Sequence, residues 1–161
     1  MIEIKYMSMK RAINSARKGI RNGEGGPFGA CIVDKKGKII AVSHNMVWKN
    51  CNPTSHAEVN AIGMAAKKLK TIDLSGCTLY STNEPCPMCF GAAHWAKIDK
   101  IIFCTSINDA AKYGFNELKV SNFSIKKYGK LKKPIIEQDL EHYEMCNELL
   151  KEWKKLKGKK Y

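Results

Sequence analysis

The sequence of 161 residues lacks any long uninterrupted run of apolar side chains. Its N-terminal stretch is broken by Glu3, Lys5, Lys10 and Arg11, so it does not carry the apolar segment of a signal peptide. No segment approaches the roughly 18 consecutive apolar residues that a membrane span requires. Low-complexity tracts are also missing, and 44% of the residues are hydrophobic. We therefore expect a folded protein that has no membrane partner.

The sequence also lacks a disulfide framework. Its seven cysteines are an odd number, and only Cys86 and Cys89 are closely spaced. Scattered cysteines are typical of the reducing cytosol, where a close pair more often binds a metal or performs redox chemistry than forms a structural bridge. We therefore expect a cytoplasmic protein in which this pair carries the chemistry and the other five cysteines are core or incidental residues.

Arginine is scarce in a strongly basic chain. The formal net charge is +13, yet arginine occurs only at positions 11, 17 and 21. Lysines supply the remaining positive charge and concentrate in residues 126–133 and 151–160. Arginine is the side chain suited to bidentate contacts with phosphates and bases. The composition therefore favours a solvated lysine-rich surface, and a nucleic-acid partner is the less favoured alternative.

Length and composition fit one domain that spans residues 1–161. Apolar spacing and helix-start signals predict helices over residues 9–20, from an N-cap at Ser55 to Leu69, over 88–97 and from 135 to 155, with a short helical stretch at 109–112. Strands are predicted over 28–33, 39–44, 77–81 and 100–105. Residues 114–134 are predicted as a loop and a polar region. A hairpin followed by alternating helices and strands predicts an α/β/α sandwich on a mixed sheet.

Two short motifs, each at the start of a predicted helix, carry the candidate chemistry. One contains His56 and Glu58, and the other, 30 residues further on, contains Cys86 and Cys89. Such residues can meet at one centre only beyond the helix N-termini, where the positive end of the helix dipole favours thiolate over thiol. One imidazole and two thiolates suit Zn²⁺. His56, Cys86 and Cys89 are therefore the candidate zinc ligands.

The ligand count predicts a catalytic rather than a structural zinc. A structural site is normally closed by four protein groups, whereas a catalytic site keeps a water in the fourth position. That water ionises near neutral pH and becomes a nucleophilic hydroxide. Glu58 stands beside it as a proton shuttle between the water, a ring nitrogen and the departing amine. Each motif alone has other uses, but H-x-E combined with P-C-x-x-C is a signature of zinc deaminases.

With these motifs in place, the chain resembles the cytidine deaminase-like superfamily of zinc-dependent deaminases. The similarity runs from about Lys10 to Tyr161 and rests on residues 25–30, 52–58 and 84–89. It implies a three-layer α/β/α sandwich with a five-stranded mixed sheet. It also implies one Zn²⁺ per subunit.

Three further features resemble the guanine deaminase branch of this superfamily: residues 95–97, residues 109–117 and the C-terminal Tyr161. The resemblance implies a homodimer that hydrolyses guanine to xanthine and ammonia, with the C-terminal tail exchanged between subunits. It assigns purine packing to Phe28 and Trp95, a hydrogen bond to Asn45, an active-site contact to Tyr161, and ring-nitrogen binding or proton transfer to Glu117. The branch carries aspartate where Glu117 stands, so substrate choice stays open.

Alternatives follow from the same residues. Without the resemblance, Phe28 and Trp95 are core aromatics, Asn45 is a strand-end residue and Glu117 is a solvated charge. The function could be deamination of adenosine in tRNA to inosine, or of a related nucleoside or aminated heterocycle. A third alternative is a non-catalytic RNA-binding module in which zinc has only a structural role and stabilises the fold. Trp95 argues against the tRNA enzyme, and Glu58 distinguishes an enzyme from a binding module.

Overall fold

Five strands form one mixed sheet in the computed structural model, which describes residues 2–159. The strands are β1 (Gly29–Val33), β2 (Ile39–His44), β3 (Thr78–Asn83), β4 (Lys100–Thr105) and β5 (Ile135–Gln138). Their order across the sheet is β2-β1-β3-β4-β5. β1 is antiparallel to both β2 and β3, whereas β3, β4 and β5 are parallel to one another. The predicted five-stranded mixed sheet is confirmed.

Helices cover both faces of this sheet. They are α1 (Ile2–Arg21), α2 (Ala57–Leu69), α3 (Pro87–Trp95), α4 (Ile107–Lys112), α5 (Asn122–Tyr128) and α6 (Tyr143–Lys155). α1 packs with α6 on one face, and α2 packs with α3 on the other, where α5 also contacts α3. These layers confirm the α/β/α sandwich. Within residues 2–159, no helix is long and apolar enough to cross a membrane.

The core lies on both sides of the central strands. Side chains of β1 alternate between the two faces: Cys31 and Val33 pack in the cluster under α1 and α6, whereas Ala30 and Ile32 pack in the cluster under α2 and α3. All five residues of β1 are buried. A strand covered on both faces has no need of polar residues at alternate positions, which explains its apolar sequence.

The structure corrects two element predictions in the last third of the chain. Residues 135–138, predicted as the start of the last helix, form β5, and α6 begins only at Tyr143. Ile135 and Ile136 pair with Lys100 and Ile101 of β4, so a partner distant in sequence decides their conformation. Residues 122–128, predicted within a polar region, form α5, which begins after the N-cap Ser121.

The start of α2 also differs from its prediction. Its N-cap is His56, not Ser55, and no side chain caps it. The Ser55 hydroxyl instead accepts a hydrogen bond from the Asn50 side-chain amide at 3.2 Å. Glu58 stands three residues after Ser55 but does not form a capping box with it, because its carboxylate turns inward and accepts a hydrogen bond from Ser81. The glutamate is thereby removed from the helix surface and placed inside the protein.

Candidate active site

The two helices that carry the motifs begin at the same edge of the sheet. β2 and β3 are both antiparallel to β1, so they run in the same direction. His56, the N-cap of α2, lies beyond the end of β2, and Cys86, the N-cap of α3, lies just beyond the end of β3. Pro87 is the first residue of α3, where its fixed φ and missing N–H favour a helix start. The topology therefore brings the motifs together.

Three side chains meet there with the spacing of metal ligands. Cys86 Sγ lies 3.7 Å from His56 Nδ1, Cys89 Sγ lies 3.6 Å from the same nitrogen, and the two sulfurs are 3.6 Å apart. A tetrahedral zinc with bonds of about 2.3 Å to sulfur and about 2.0 Å to nitrogen separates its ligands by about 3.5 to 3.8 Å. His56, Cys86 and Cys89 therefore fit Zn²⁺ both in donor type and in spacing.

The ionisation of the two thiols also fits a cation. A hydrogen bond from Cys89 lowers the pKa of Cys86 to about 4, and His56 acts in the same direction. The same contact with Cys86, together with burial and the nearby Glu58 carboxylate, raises the pKa of Cys89. The two thiols therefore differ in their tendency to ionise. A divalent ion between them would permit both to be thiolates.

Glu58 lies beside this group inside the protein. The residue is 5% exposed. Its Oε1 accepts a hydrogen bond from the Ser81 hydroxyl at 3.0 Å, and its Oε2 lies 3.5 Å from Cys89 Sγ. Burial raises the pKa of the Glu58 carboxyl above its ordinary value of 4.5. A carboxyl group that is buried, oriented and has a raised pKa is suited to accept a proton and to donate it again.

A small cavity opens over the ligand group. Its volume is about 240 Å³, below the roughly 300–1,000 Å³ of pockets for drug-sized ligands and suited to a single heterocycle. His56 and Cys86 form one side of it, and residues 115–118 form another. The remaining wall consists of Pro53, Pro87 and Met88.

Glu117 is a second carboxylate in this cavity. It lies on the wall of the cavity, which also contains His56 and Cys86. Its Oε2 is buried and has no hydrogen-bond partner among residues 2–159. Burial raises the pKa of Glu117 to about 8, and the charges of Cys86 and Glu58 act in the same direction. A bound cation or a substrate donor would oppose this rise, because each stabilises the charged form.

Phe28 and Asn45 lie close behind the cavity. The Phe28 ring, 6% exposed, packs edge to face on Phe115 with ring centroids 4.8 Å apart, and Phe115 itself forms part of the cavity wall. Asn45 is fully buried, and its Oδ1 accepts hydrogen bonds from the backbone N–H groups of Gly26 and Val47.

Trp95, a third predicted substrate residue, is not brought to the cavity of this chain. Trp95 is 84% exposed and ends α3, whereas Cys86 precedes the start of the same helix. Nine residues at about 1.5 Å rise per residue separate the two by about 13 Å along the axis. Tyr161 lies outside the described residues.

Sequence reasoning missed two residues of the site. The hydroxyl of Ser81 orients Glu58, and the Phe115 ring lines the cavity. Ser81 lies within β3, where nothing local distinguishes it from any other buried strand residue. Phe115 falls in the segment 109–117 that the resemblance singles out, but only the acidic residue of that segment was given a role.

Comparisons with known proteins agree with this geometry. The family model of the cytidine and deoxycytidylate deaminase zinc-binding region matches residues 3–105. Guanine deaminase of Bacillus subtilis (strain 168) is 41% identical over 137 residues, which are 85% of this chain and 83% of that protein. The tRNA-specific adenosine deaminase of Aquifex aeolicus is 45% identical over only 95 residues, 59% of this chain and 62% of that protein.

Solved structures give the same result for the fold. A guanine deaminase from Nitrosomonas europaea superposes with a TM-score of 0.80 at 28% sequence identity, over 91% of this chain and 82% of that one. The matched family region contains both motifs that meet at the cavity. The chain therefore belongs to the cytidine and deoxycytidylate deaminase family and is a zinc-dependent hydrolytic deaminase.

Proposed function

We propose that the protein hydrolyses guanine to xanthine and ammonia. The observation that carries the proposal is the cavity that opens over His56 and Cys86 and contains the unpartnered carboxylate oxygen of Glu117. The guanine deaminase of Bacillus subtilis is 41% identical over 85% of this chain, whereas the tRNA-specific adenosine deaminase of Buchnera aphidicola, which covers a similar share of 81%, is 35% identical. Both lines of support favour a free purine base as the substrate.

His56, Cys86 and Cys89 hold the zinc ion in this proposal, one per chain. Zinc bound there supplies a Lewis acid that makes water nucleophilic near neutral pH. Glu58 accepts a proton from the attacking water and passes it to a ring nitrogen of the base; it then takes the second proton from the hydroxyl added at C2 and gives it to the amine, which leaves as ammonia while the C2 carbonyl forms. The Ser81 hydroxyl fixes one carboxylate oxygen, so the other faces the reacting atoms.

Glu117 is the proposed determinant of the base. The edge of guanine that carries the reacting amine presents two adjacent donors, the N1–H and the amine itself. A carboxylate is an acceptor and complements such an edge, whereas adenine offers an unprotonated N1 there and would face Glu117 with repulsion. Glu117 also has one methylene more than the aspartate of the branch, which brings its oxygens further into the cavity.

The remaining substrate contacts are proposed in two groups. Phe28 supports the Phe115 ring against the purine face, and Asn45 contributes a hydrogen bond to the purine. Trp95 would contact a purine only in the site of a neighbouring subunit, and the family resemblance assigns Tyr161 an active-site contact. The exposure of Trp95 at the far end of α3 supports this arrangement.

A homodimer with exchanged C-terminal tails is therefore part of the proposal. Light scattering coupled to gel filtration is expected to give twice the mass of 18.1 kDa for one chain. Trp95→Ala in such a dimer should raise KM for guanine, because the stacking surface is lost. A monomer with full guanine deaminase activity would contradict the arrangement.

We also propose a cytoplasmic location. All seven cysteines are free thiols, five of them buried. Cys51 is exposed, in the loop that precedes His56. A reducing compartment keeps such thiols, and above all the two zinc ligands, available for their roles.

Ammonia release from a panel of bases tests the function. The purified protein should act on guanine, and much less on adenine, cytosine and their nucleosides. An RNA anticodon stem-loop, analysed for inosine, covers the tRNA alternative. Release from adenosine or cytosine without release from guanine would refute the substrate assignment. Salt-dependent RNA binding, with no deamination of any substrate, would favour the binding module instead.

A further inference from the structure

Glu84 is a buried glutamate between the zinc ligands and the segment that closes the cavity. It follows the last residue of β3 and precedes Pro85 and Cys86. Only 5% of its surface is exposed. Its backbone N–H donates to the carbonyl oxygen of Thr105, the last residue of β4, at 2.7 Å. The backbone of Glu84 is therefore anchored to the end of the neighbouring strand.

The Glu84 carboxylate binds the two ends of one chain segment. Its Oε1 accepts a hydrogen bond from the backbone N–H of Asn122, the first residue of α5, at 2.8 Å. Its Oε2 accepts one from the backbone N–H of Ile107, the first residue of α4, at 3.4 Å. One side chain thus holds both ends of residues 107–122, which we call the closing segment.

The closing segment carries the wall of the cavity that faces the ligands. Residues 115–118, including Glu117, lie in its middle and line the cavity. A second contact joins the end of this segment to residues 84–86, which we call the ligand loop. The side-chain amide of the fully buried Asn122 donates to the carbonyl oxygen of Pro85 at 2.5 Å. The residue that follows Pro85 is the ligand Cys86. The ligand loop and the closing segment are therefore bound to each other at several buried points.

We propose that Glu84 is a positioning residue that sets where Glu117 stands relative to the metal ligands, and thereby controls affinity for the base. The proposal rests on the proposed function only for the identity of that base. A carboxylate accepts hydrogen bonds at both oxygens, whereas the glutamine amide accepts at one and presents an N–H₂ group at the other. Glu84→Gln therefore removes one of the two anchors with almost no change in volume.

Steady-state kinetics with guanine measure the effect. In Glu84→Gln, KM is expected to rise about tenfold while kcat changes less than about threefold, since the substrate contact is displaced but Glu58 is not. Zinc content should stay at one ion per chain. Asp139→Asn is the matched control, because Asp139 is a fully buried carboxylate that hydrogen-bonds His142 and the backbone N–H of Glu141, outside the closing segment. An unchanged KM in Glu84→Gln would overturn the proposal.

A double-mutant cycle separates positioning from a general loss of stability. If Glu84 acts by placing Glu117, then Glu84→Gln should cost much less in kcat/KM when Glu117→Gln is already present. Full additivity of the two losses would mean that Glu84 does not act through Glu117, and would overturn the proposal.

Amide hydrogen exchange tests the anchor without any substrate. Peptides from residues 107–122 should exchange at least about fivefold faster in Glu84→Gln than in the wild type, and those from β1 should not. Asn122→Ala removes only the side-chain contact to Pro85, so it should increase the exchange rate of the same peptides less than Glu84→Gln does. This second variant provides the test if Glu84→Gln folds poorly. If the wild-type protein did not deaminate guanine, the proposed function would be refuted, but the exchange rates of the wild type and the variants could still be compared. Equal exchange in the closing segment of wild type and both variants would overturn the role of Glu84.

Discussion

Replacing Ser81 by alanine should reduce deamination without loss of zinc. The Ser81 hydroxyl, 1% exposed, donates to Glu58 Oε1 at 3.0 Å and leaves Oε2 directed towards the ligand group. A hydrogen bond to a buried charged group contributes about 1.5 to 3 kcal/mol. If that contribution is retained through the proton-transfer steps, its loss lowers kcat by about 10- to 150-fold. The alanine variant also frees the carboxylate to adopt other rotamers.

The assay follows ammonia release at saturating guanine, together with zinc content and thermal unfolding. Ser8→Ala is the control, because Ser8 is equally buried but lies in α1, where its hydroxyl donates to the carbonyl oxygen of Ile4 at 2.7 Å. We expect wild-type kcat in the control and a large loss in Ser81→Ala, with both variants folded. Wild-type kcat in zinc-loaded Ser81→Ala would refute the reasoning that this hydroxyl orients the proton carrier.

Three further predictions concern the site and the stability of the fold. Glu58→Ala should lower kcat by about 10² to 10⁴ while zinc stays bound, since the residue moves protons and is not a ligand; loss of zinc in this variant would contradict that division. Cys89→Ser should lower zinc content and activity together, measured by elemental analysis of dialysed protein, and retention of one tightly held ion would remove the cysteine from the ligand set. Hydrogen bonding to His44 lowers the pKa of Glu24 from 4.5 to about 2. Its stabilising effect is therefore complete above about pH 4.5 and is lost as pH falls towards 2. Urea unfolding of wild type and Glu24→Gln across that range should show the difference in unfolding free energy shrinking at low pH, and a constant difference would contradict the pKa shift.

The zinc site could be predicted from sequence because its information is local. Each motif lies within one helix start, and the proline at position 87 marks one of these starts directly. The starts of two helices can meet at one metal ion when both helices begin at the same edge of the sheet. The family resemblance added the acidic residue of the cavity wall, Glu117, which spacing alone could not have assigned.

Contacts between distant parts of the chain explain what the sequence did not predict. β5 has four residues, and its conformation depends on pairing with β4, about thirty residues earlier. α5 lacks a strong apolar period, and its first backbone N–H is satisfied by Glu84 from another part of the fold. The N-cap predicted at Ser55 is wrong for a similar reason, because the Ser55 hydroxyl accepts a hydrogen bond from Asn50 in the preceding loop and α2 begins after His56. Exposure of Trp95 likewise depends on tertiary packing that no local pattern encodes.

The exposed thiol of Cys51 makes the approach to the site accessible to spectroscopy. Its backbone has a positive φ of 45°, and its sulfur lies 3.7 Å from the carbonyl oxygen of Trp48. Five other thiols are buried, and the sixth belongs to the ligand group, so a maleimide dye should couple at this position first. A fluorophore there would sit a few residues before His56 and would register rearrangement of that stretch when a purine binds.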